Sequence, residues 1–392
     1  MTLQNRRQFL GRFGVGLLAA ATLPVTRCHI FGSDAPKFEL GQPKEIARHP
    51  GIYYGWPTVG INHDTAELFV VASGGREAHV CPFGRVDMFR SKDLGETWTW
   101  PQTIYDGPTD DRDAGILVTS KGTILVTTFT SDGYIVRLKE EERRRKEGKG
   151  EFTDEQLARW YGVHNRMTDE ERKKEMGCWM LRSTDNGINW SARYSTPINS
   201  PHGPIELSDG RLLYPGRDFD ESNHHMGVAE SLDDGVTWHI LSKIPPRQGE
   251  QSGFYHELHG VEAADGTIIV QIRNHNSAND GETLQTESTD GGKTWSEIHA
   301  IGVWGVPSHL LKLKDGRLLM TYGYRRDPMG NQARVSTDNG RTWSAPIQIS
   351  DGARITDVGY PSSVQLPDGS IVSVWYENMG TTCLRMIRWT LE

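Results

Sequence analysis

The stretch Ser288-Thr289-Asp290-Gly291-Gly292-Lys293-Thr294-Trp295 decides how the rest of the chain is read, because it recurs. Ser91-Lys92-Asp93-Leu94-Gly95-Glu96-Thr97-Trp98 has the same form, as do the octets that run from Ser183 to Trp190, Ser231 to Trp238 and Ser336 to Trp343. The pattern S-x-D-x-G-x-T-W, with Asn189 for Thr in one copy, predicts a hairpin turn. Its Asp accepts backbone N–H bonds across the turn, and its Gly supplies a φ > 0 position. Thr and Trp then open the outgoing strand, with the indole placed to pack between neighbouring units. One copy would carry little weight; five require a repeat architecture.

A second signal keeps step with the first. Asp209-Gly210, Asp265-Gly266, Asp315-Gly316 and Asp368-Gly369 each open an apolar strand. Lys121-Gly122 opens a looser one, and Asp64 to Val71 fills the same role in the first unit. Six strand starts against five turns, spaced about fifty residues apart, predict an all-β six-bladed β-propeller over residues 37–392. The last unit, Gly359 to Glu392, has no turn octet, so a strand near Phe38–Ala47 is expected to pair with it and close the ring. Residues 139–176 break the period with a run of Glu, Arg and Lys. There Thr153-Asp154-Glu155-Gln156 and Thr168-Asp169-Glu170-Glu171 resemble capped helix starts, which predicts a charged helical insertion in the second blade. It reads either as a solvated face or as a rim element or dimer contact whose apolar side is Trp160-Tyr161.

A net charge of −8 with no basic tract argues against a nucleic-acid partner. Cys28, Cys81, Cys178 and Cys383 are scattered, with neither metal spacing nor a disulfide framework, and neither a metal nor a cofactor is expected. Asn5-Arg6-Arg7-Gln8-Phe9-Leu10 precedes the apolar run Val15 to Leu23 and resembles a twin-arginine export signal. Residues 1–30 are therefore expected to be a leader, and the protein to be periplasmic or extracellular with no membrane insertion once the leader is removed. Val25-Thr26-Arg27 ahead of Cys28 are poor residues for a lipidation site, which wants small side chains there.

Propellers bind ligands at the mouth of the central channel, so candidates for chemistry are polar residues at a fixed offset from the repeated strands. Glu257 lies eight residues before Asp265 and Tyr360 eight before Asp368, at equivalent ends of strands in different blades. Arg273 lies eight residues after Asp265; the other reading of it and Glu257 is a structural ion pair. Asp113, ahead of the second blade's strand, is read as a substrate ligand, as the acid of the site, or as part of an acidic surface turn. His202 and His309 stand at the strand entries of the third and fifth blades, as substrate contacts or as packing residues. His256 and His259 flank Glu257 and are read as pointing elsewhere.

The turn octet is that of the Asp-box, or BNR, repeat, and the chain after its leader resembles the sialidase superfamily. Tyr255-His256-Glu257 through Asp265-Gly266 to Arg273-Asn274 is similar to the segment carrying the glutamate and the second arginine of a carboxylate-binding triad. Gly359-Tyr360-Pro361 through Asp368-Gly369 to Glu377 is similar to the segment carrying a tyrosine nucleophile. Arg325, with Arg326 competing, resembles the third arginine, and Arg76 resembles a first-blade pocket arginine. The resemblance implies an exo-glycoside hydrolase that releases a terminal acidic or deoxy sugar from a glycan. A neutral phenol activated by Glu257 avoids the repulsion a carboxylate nucleophile would meet at a sugar bearing its own carboxylate, and arginines grip that carboxylate.

Two positions depart from this pattern. Gly55, in Tyr53-Tyr54-Gly55-Trp56-Pro57, stands where the first triad arginine belongs. His79, in Arg76-Glu77-Ala78-His79, stands nearest the place of the acid/base aspartate, a role that a histidine can fill. These departures keep two other readings open. One is a uronate-directed polysaccharide lyase or rhamnosidase of the same propeller type. The other is a non-catalytic carbohydrate-binding propeller.

Overall fold

Each turn octet closes on itself through one set of hydrogen bonds. Ser91 Oγ donates to Asp93 Oδ1 (2.8 Å) and accepts from Gly95 N (2.9 Å), while Thr97 donates from N to Asp93 Oδ1 (2.8 Å) and from Oγ1 to Oδ2 (2.5 Å). The set repeats around Asp233, Asp290 and Asp338, and around Asp185 with Asn189 in place of Thr. Donation from the Thr97 side chain brings the Asp93 carboxyl down to about 2. The indoles bridge blades as the pattern predicts: Trp295 Nε1 donates to Ser242 Oγ (2.9 Å) and Trp343 Nε1 to Gln285 Oε1 (3.2 Å).

The computed structural model describes residues 36–218, 225–277 and 280–392; the expected leader and Cys28 lie outside the described residues. Six antiparallel sheets succeed one another along the chain. Their first strands are Tyr53–Asn62, Asp110–Val118, Ile205–Glu206, Tyr255–Glu262, Ser308–Lys312 and Val358–Gln365. Those of every blade but the third contact one another in succession around a common axis, and the third blade meets the fourth through Leu212–Arg217. The architecture is a six-bladed β-propeller. Phe38–Leu40 and Lys44–Ala47 both pair with Thr382–Leu391, in registers that set Phe38 opposite Leu391 and Lys44 opposite Met386. The start of the described chain thus supplies the outer edge that the last blade lacks, and the ring is closed without an open edge there.

The apolar core is divided among the six gaps between blades. Phe69 and Val71 of the first blade pack on Ala114 and Ile116 of the second, and Leu213 and Val228 of the third on Leu258 and Val270 of the fourth. Tyr54 and Val70 meet Val372 and Met386 where the first blade joins the last. Dispersed in this way, the core fixes each blade's first strand relative to its neighbours, which gives the axial site its precision.

The second blade carries helices Tyr134–Lys146, Asp154–His164 and Asp169–Glu175 between its strands Ile124–Ser131 and Gly177–Ser183. Thr153 Oγ1 accepts from Gln156 N, and Thr168 forms a capping box with Glu171. The first helix begins at Tyr134 rather than 139: Tyr134, Leu138 and Glu141, at helical spacing, form its buried face. Trp160 offers no apolar side to a partner: it is fully buried with Tyr134, Leu138, Phe152 and Cys81. Cys81, Cys178 and Cys383 are all buried free thiols. Among the described residues no helix is long and apolar enough to cross a membrane.

Candidate active site

Four first strands break register at the same step. The breaks fall between Gly55 and Thr58, Arg112 and Gly115, His256 and Leu258, and Gly359 and Ser362. At each bulge one non-glycine residue takes a positive φ: Trp56 (55°), Asp113 (51°), Glu257 (42°) and Tyr360 (52°). Such conformations cost about 1–3 kcal/mol each and persist where the surroundings enforce them. Here they turn four side chains from four blades into one cavity of about 350 Å³.

Glu257 and Tyr360 meet at its floor. The Tyr360 hydroxyl donates to Glu257 Oε1, and Arg273 Nη1 donates to Glu257 Oε2 (2.5 Å) and to the Tyr360 oxygen (3.0 Å). Burial alone would raise the Glu257 carboxyl, but the Arg273 charge and the bonds from Tyr360 and Arg273 outweigh it and bring it down to about 2. Burial, reinforced by the Glu257 charge, pushes the Tyr360 phenol well above its ordinary value. The pair is therefore a neutral phenol bonded to a carboxylate. Arg273 Nε donates to His275 Nε2 (2.8 Å), which leaves His275 Nδ1 to donate to Asp280 (2.8 Å).

Asp113 lines the same cavity, and burial, with Glu257 nearby and despite Arg112, pushes its carboxyl up to about 7. It is no exposed acidic turn. His79 lies across the cavity, edge-on to Trp56 at 4.9 Å between ring centroids. Its Nδ1 donates to Asp357 Oδ1 (3.1 Å), which also accepts from Tyr53 and Tyr376 (2.9 Å each). Burial opposes ionisation of Asp357, but the bonds from His79, Asn378 and Tyr53 hold it well below the usual carboxylate range. With Nδ1 engaged, Nε2 is the nitrogen left to exchange a proton. The side chain is 49% exposed, so a ligand can reach it.

The arginines fall out differently from expectation. Arg76 is fully buried and spends its guanidinium on Asp110 (2.5 and 3.1 Å), Ser73 Oγ (3.1 Å) and the carbonyls of Ala78 and His79 (3.3 and 3.0 Å). It braces the site and does not line it. Arg325 lies beside the Tyr360 ring, its Cζ 5.9 Å from the centroid, with Nε on the Val358 carbonyl (3.1 Å). Arg326 turns away and stacks on Trp304 at 3.9 Å. The cavity wall instead holds Arg112 and Arg217 beside Arg273. Arg112 stacks on Trp56 at 4.6 Å, and its buried Nε has no hydrogen-bond partner among the described residues. Arg217 Nη1 donates to His256 Nδ1 (2.7 Å) and to the Tyr255 carbonyl (3.2 Å), which places His256 in the site after all. At Gly55 an added Cβ would lie 3.0 Å from the Tyr53 ring. The ring that helps hold Asp357 beside His79 thus fills the space an arginine there would need.

His202 and His309 do not join Tyr360 in this cavity. One or two residues past the bulge step, they line a separate axial cavity of about 500 Å³ with His259. His259 and His309 stack at 4.3 Å, and His202 stands edge-on to them at 5.5 and 5.2 Å. Burial brings His202 down to about 4. No group of three His, Cys, Asp or Glu residues among the described residues is arranged to hold a metal ion.

Sequence reading missed Trp56, Arg112, Arg217 and His275. One signal could have found the first: Trp56 lies eight residues before Asp64, the offset of Glu257 from Asp265 and of Tyr360 from Asp368. A second could have found Arg217, which lies eight residues after Asp209, the offset of Arg273 from Asp265, on the second strand of its blade.

The family model for the BNR repeat-like domain matches residues 150–373, more than half of the chain. A sialidase of Micromonospora viridifaciens is 28% identical over 43% of this chain and 31% of its own length. A sialidase of Bacteroides fragilis is 24% identical over 75% of this chain and 54% of its own. The chain thus spans about a third to a half of the curated sialidases it matches. In fold, a Dyadobacter fermentans protein of unknown function superposes with a TM-score of 0.72 at 24% identity, covering 91% of this chain and 100% of that one. The Trypanosoma rangeli sialidase solved with sialic acid superposes at 0.60 and 19% identity, covering 90% and 59%. On the matched repeat and the six closed blades, the chain belongs to the BNR repeat-like family, as a propeller of the sialidase superfamily.

Proposed function

We infer that this protein is a glycoside hydrolase that releases a terminal acidic sugar from a glycan through Tyr360. The observation that carries the reading is the buried triad in which Tyr360 donates to Glu257 while Arg273 donates to both. Glu257 takes the phenolic proton as the Tyr360 oxygen attacks the anomeric carbon, and the bond to the leaving oxygen breaks as that oxygen takes a proton from His79. Water, giving its proton back to His79, then displaces Tyr360, which recovers its own proton from Glu257. A phenol suits a sugar whose anomeric carbon bears a carboxylate, since two anions are not forced together. Arg112, Arg217 and Arg273 supply the cationic wall for that carboxylate, and Asp113, protonated up to about pH 7, can donate to a sugar hydroxyl.

Product analysis tests this. Incubation with 3′-sialyllactose, rhamnosyl-glucuronate oligosaccharides and ulvan is expected to yield a free acidic sugar. An unsaturated uronate product would establish lyase chemistry instead, free rhamnose a rhamnosidase, and binding without turnover a carbohydrate-binding propeller. Export by the twin-arginine route belongs to the same proposal; residues 1–30 fused to a reporter should carry it across the inner membrane only while Arg6-Arg7 are intact.

A further inference from the structure

Beside the cavity of Tyr360 lies another of about 320 Å³, walled by Tyr53, Glu77, Asp357, Asn378 and Thr381. The two cavities have one lining residue in common, His79. Their characters are opposed. The first is lined by Arg112, Arg217 and Arg273, whereas the second carries the carboxylates Glu77 and Asp357 and, among the described residues, no Lys or Arg. A group that protonates a glycosidic oxygen must sit where the departing and retained parts of the substrate join. His79 is the partition at that boundary.

The partition is fixed by the helical insertion, a segment with no other assigned role. Arg159 Nε and Trp160 Nε1 donate to the two oxygens of Glu77 (2.7 and 3.0 Å), two residues from His79. Arg137 Nη1 reaches the Val80 carbonyl (3.5 Å), and Cys81 is buried in the insertion's own core. The loop from Glu77 to Cys81 is thus clamped from one side by the insertion and from the other by the Asp357 bond to His79.

We propose that the cavity walled by Glu77, Asp357, Asn378 and Thr381 binds the leaving part of the substrate as a neutral, hydroxyl-bearing sugar, with His79 between it and the sugar held at Tyr360. The assignment rests on the glycosidase reading. Its carboxylates, Glu77 paired with Arg159 and Asp357 bonded to His79, keep lone pairs for sugar hydroxyls. The described lining offers no Lys or Arg to hold a second acidic sugar's carboxylate, so cleavage between an acidic and a neutral residue is favoured over cleavage between two acidic ones.

The test uses the full chain and Thr381→Trp, which fills the cavity without touching the bonds of His79. Three substrates share one acidic sugar: N-acetylneuraminosyl fluoride, whose leaving group is one atom; 3′-sialyllactose; and α2,8-linked disialic acid. The expected result is that Thr381→Trp lowers kcat/KM for sialyllactose at least tenfold and leaves the fluoride within twofold, with disialic acid a poorer substrate of the wild type than sialyllactose. Equal effects on fluoride and lactoside, or preference for disialic acid, overturn the assignment while leaving the glycosidase reading intact. Saturation-transfer NMR with lactose alone decides the site even if no substrate is turned over. A signal lost in Thr381→Trp supports it, and no signal in the wild type, or one indifferent to the substitution, overturns it.

Discussion

The phenol of Tyr360 donates to a carboxylate 103 residues away in sequence, Oε1 of Glu257, and Arg273 Nη1 closes the triangle by donating to both residues. Each of the pair sits at a left-handed bulge, in blades four and six, so two separately strained turns converge on one bond.

Removing either end of that bond should stop the same step. Tyr360→Phe and Glu257→Gln are each expected to lower kcat/KM by roughly 10²–10⁴, and the double variant to be scarcely worse than either alone, because the residues act as one unit. Rates on the acidic-sugar substrate found by product analysis measure this; full activity in Tyr360→Phe would remove Tyr360 as the nucleophile.

Arg273→Met leaves the buried Glu257 without the cation bonded to it, which should cost roughly 3 kcal/mol. The sign with pH follows from Glu257. Its carboxyl is lowered from 4.5 to about 2, so its contribution is complete above about 4.5 and is lost as pH falls through about 2. The deficit of the variant should therefore be larger at pH 7 than at pH 3, as read from urea unfolding midpoints at the two values.

Asp113 behaves in the opposite sense. Its carboxyl is raised from 3.8 to about 7, so the stability it confers is complete below about 3.8 and is lost as pH rises through about 7. Asp113→Asn should gain on the wild type between pH 4 and pH 8, by roughly 2 kcal/mol in urea titrations. A constant difference across that range would place Asp113 at an ordinary carboxylate value. On the proposed glycosidase reading the neutral acid also donates to the sugar, so wild-type KM should rise above pH 7 while that of the variant stays flat.

Trp160→Ala should cost roughly 3–5 kcal/mol within the insertion, since the side chain is fully buried among Tyr134, Leu138 and Phe152. Hydrogen exchange is expected to accelerate across 134–175 and the loop from Glu77 to Cys81 and to stay slow in the blades. Loss of protection throughout the ring would show the insertion to be part of the common core.

The blade count, the closing segment and the insertion were legible in the sequence because each depends on local chemistry. An Asp that folds back on its own turn, a Gly at positive φ and a Thr at a helix cap act within a few residues. The site was legible where it follows the repeat: an eight-residue step before the strand-opening turn carries Glu257 and Tyr360 to equivalent bulges. The step failed once a side chain's direction mattered. His202 and His309, displaced from it by a residue or two, face the other axial cavity, and Arg76 turns inward to Asp110.

The amino-acid order by itself determined that this chain repeats, that the repeats are blades, and that a phenol and a carboxylate occupy matching places in two of them. Only the tertiary structure decided that Arg112 shares their cavity while Arg76 does not. Arg112 and Arg217 arrive from blades whose neighbours in space are set by the gap-by-gap packing of the ring. A guanidinium on a long side chain is directed by what fills the room around it, as the Tyr53 ring does beside Gly55.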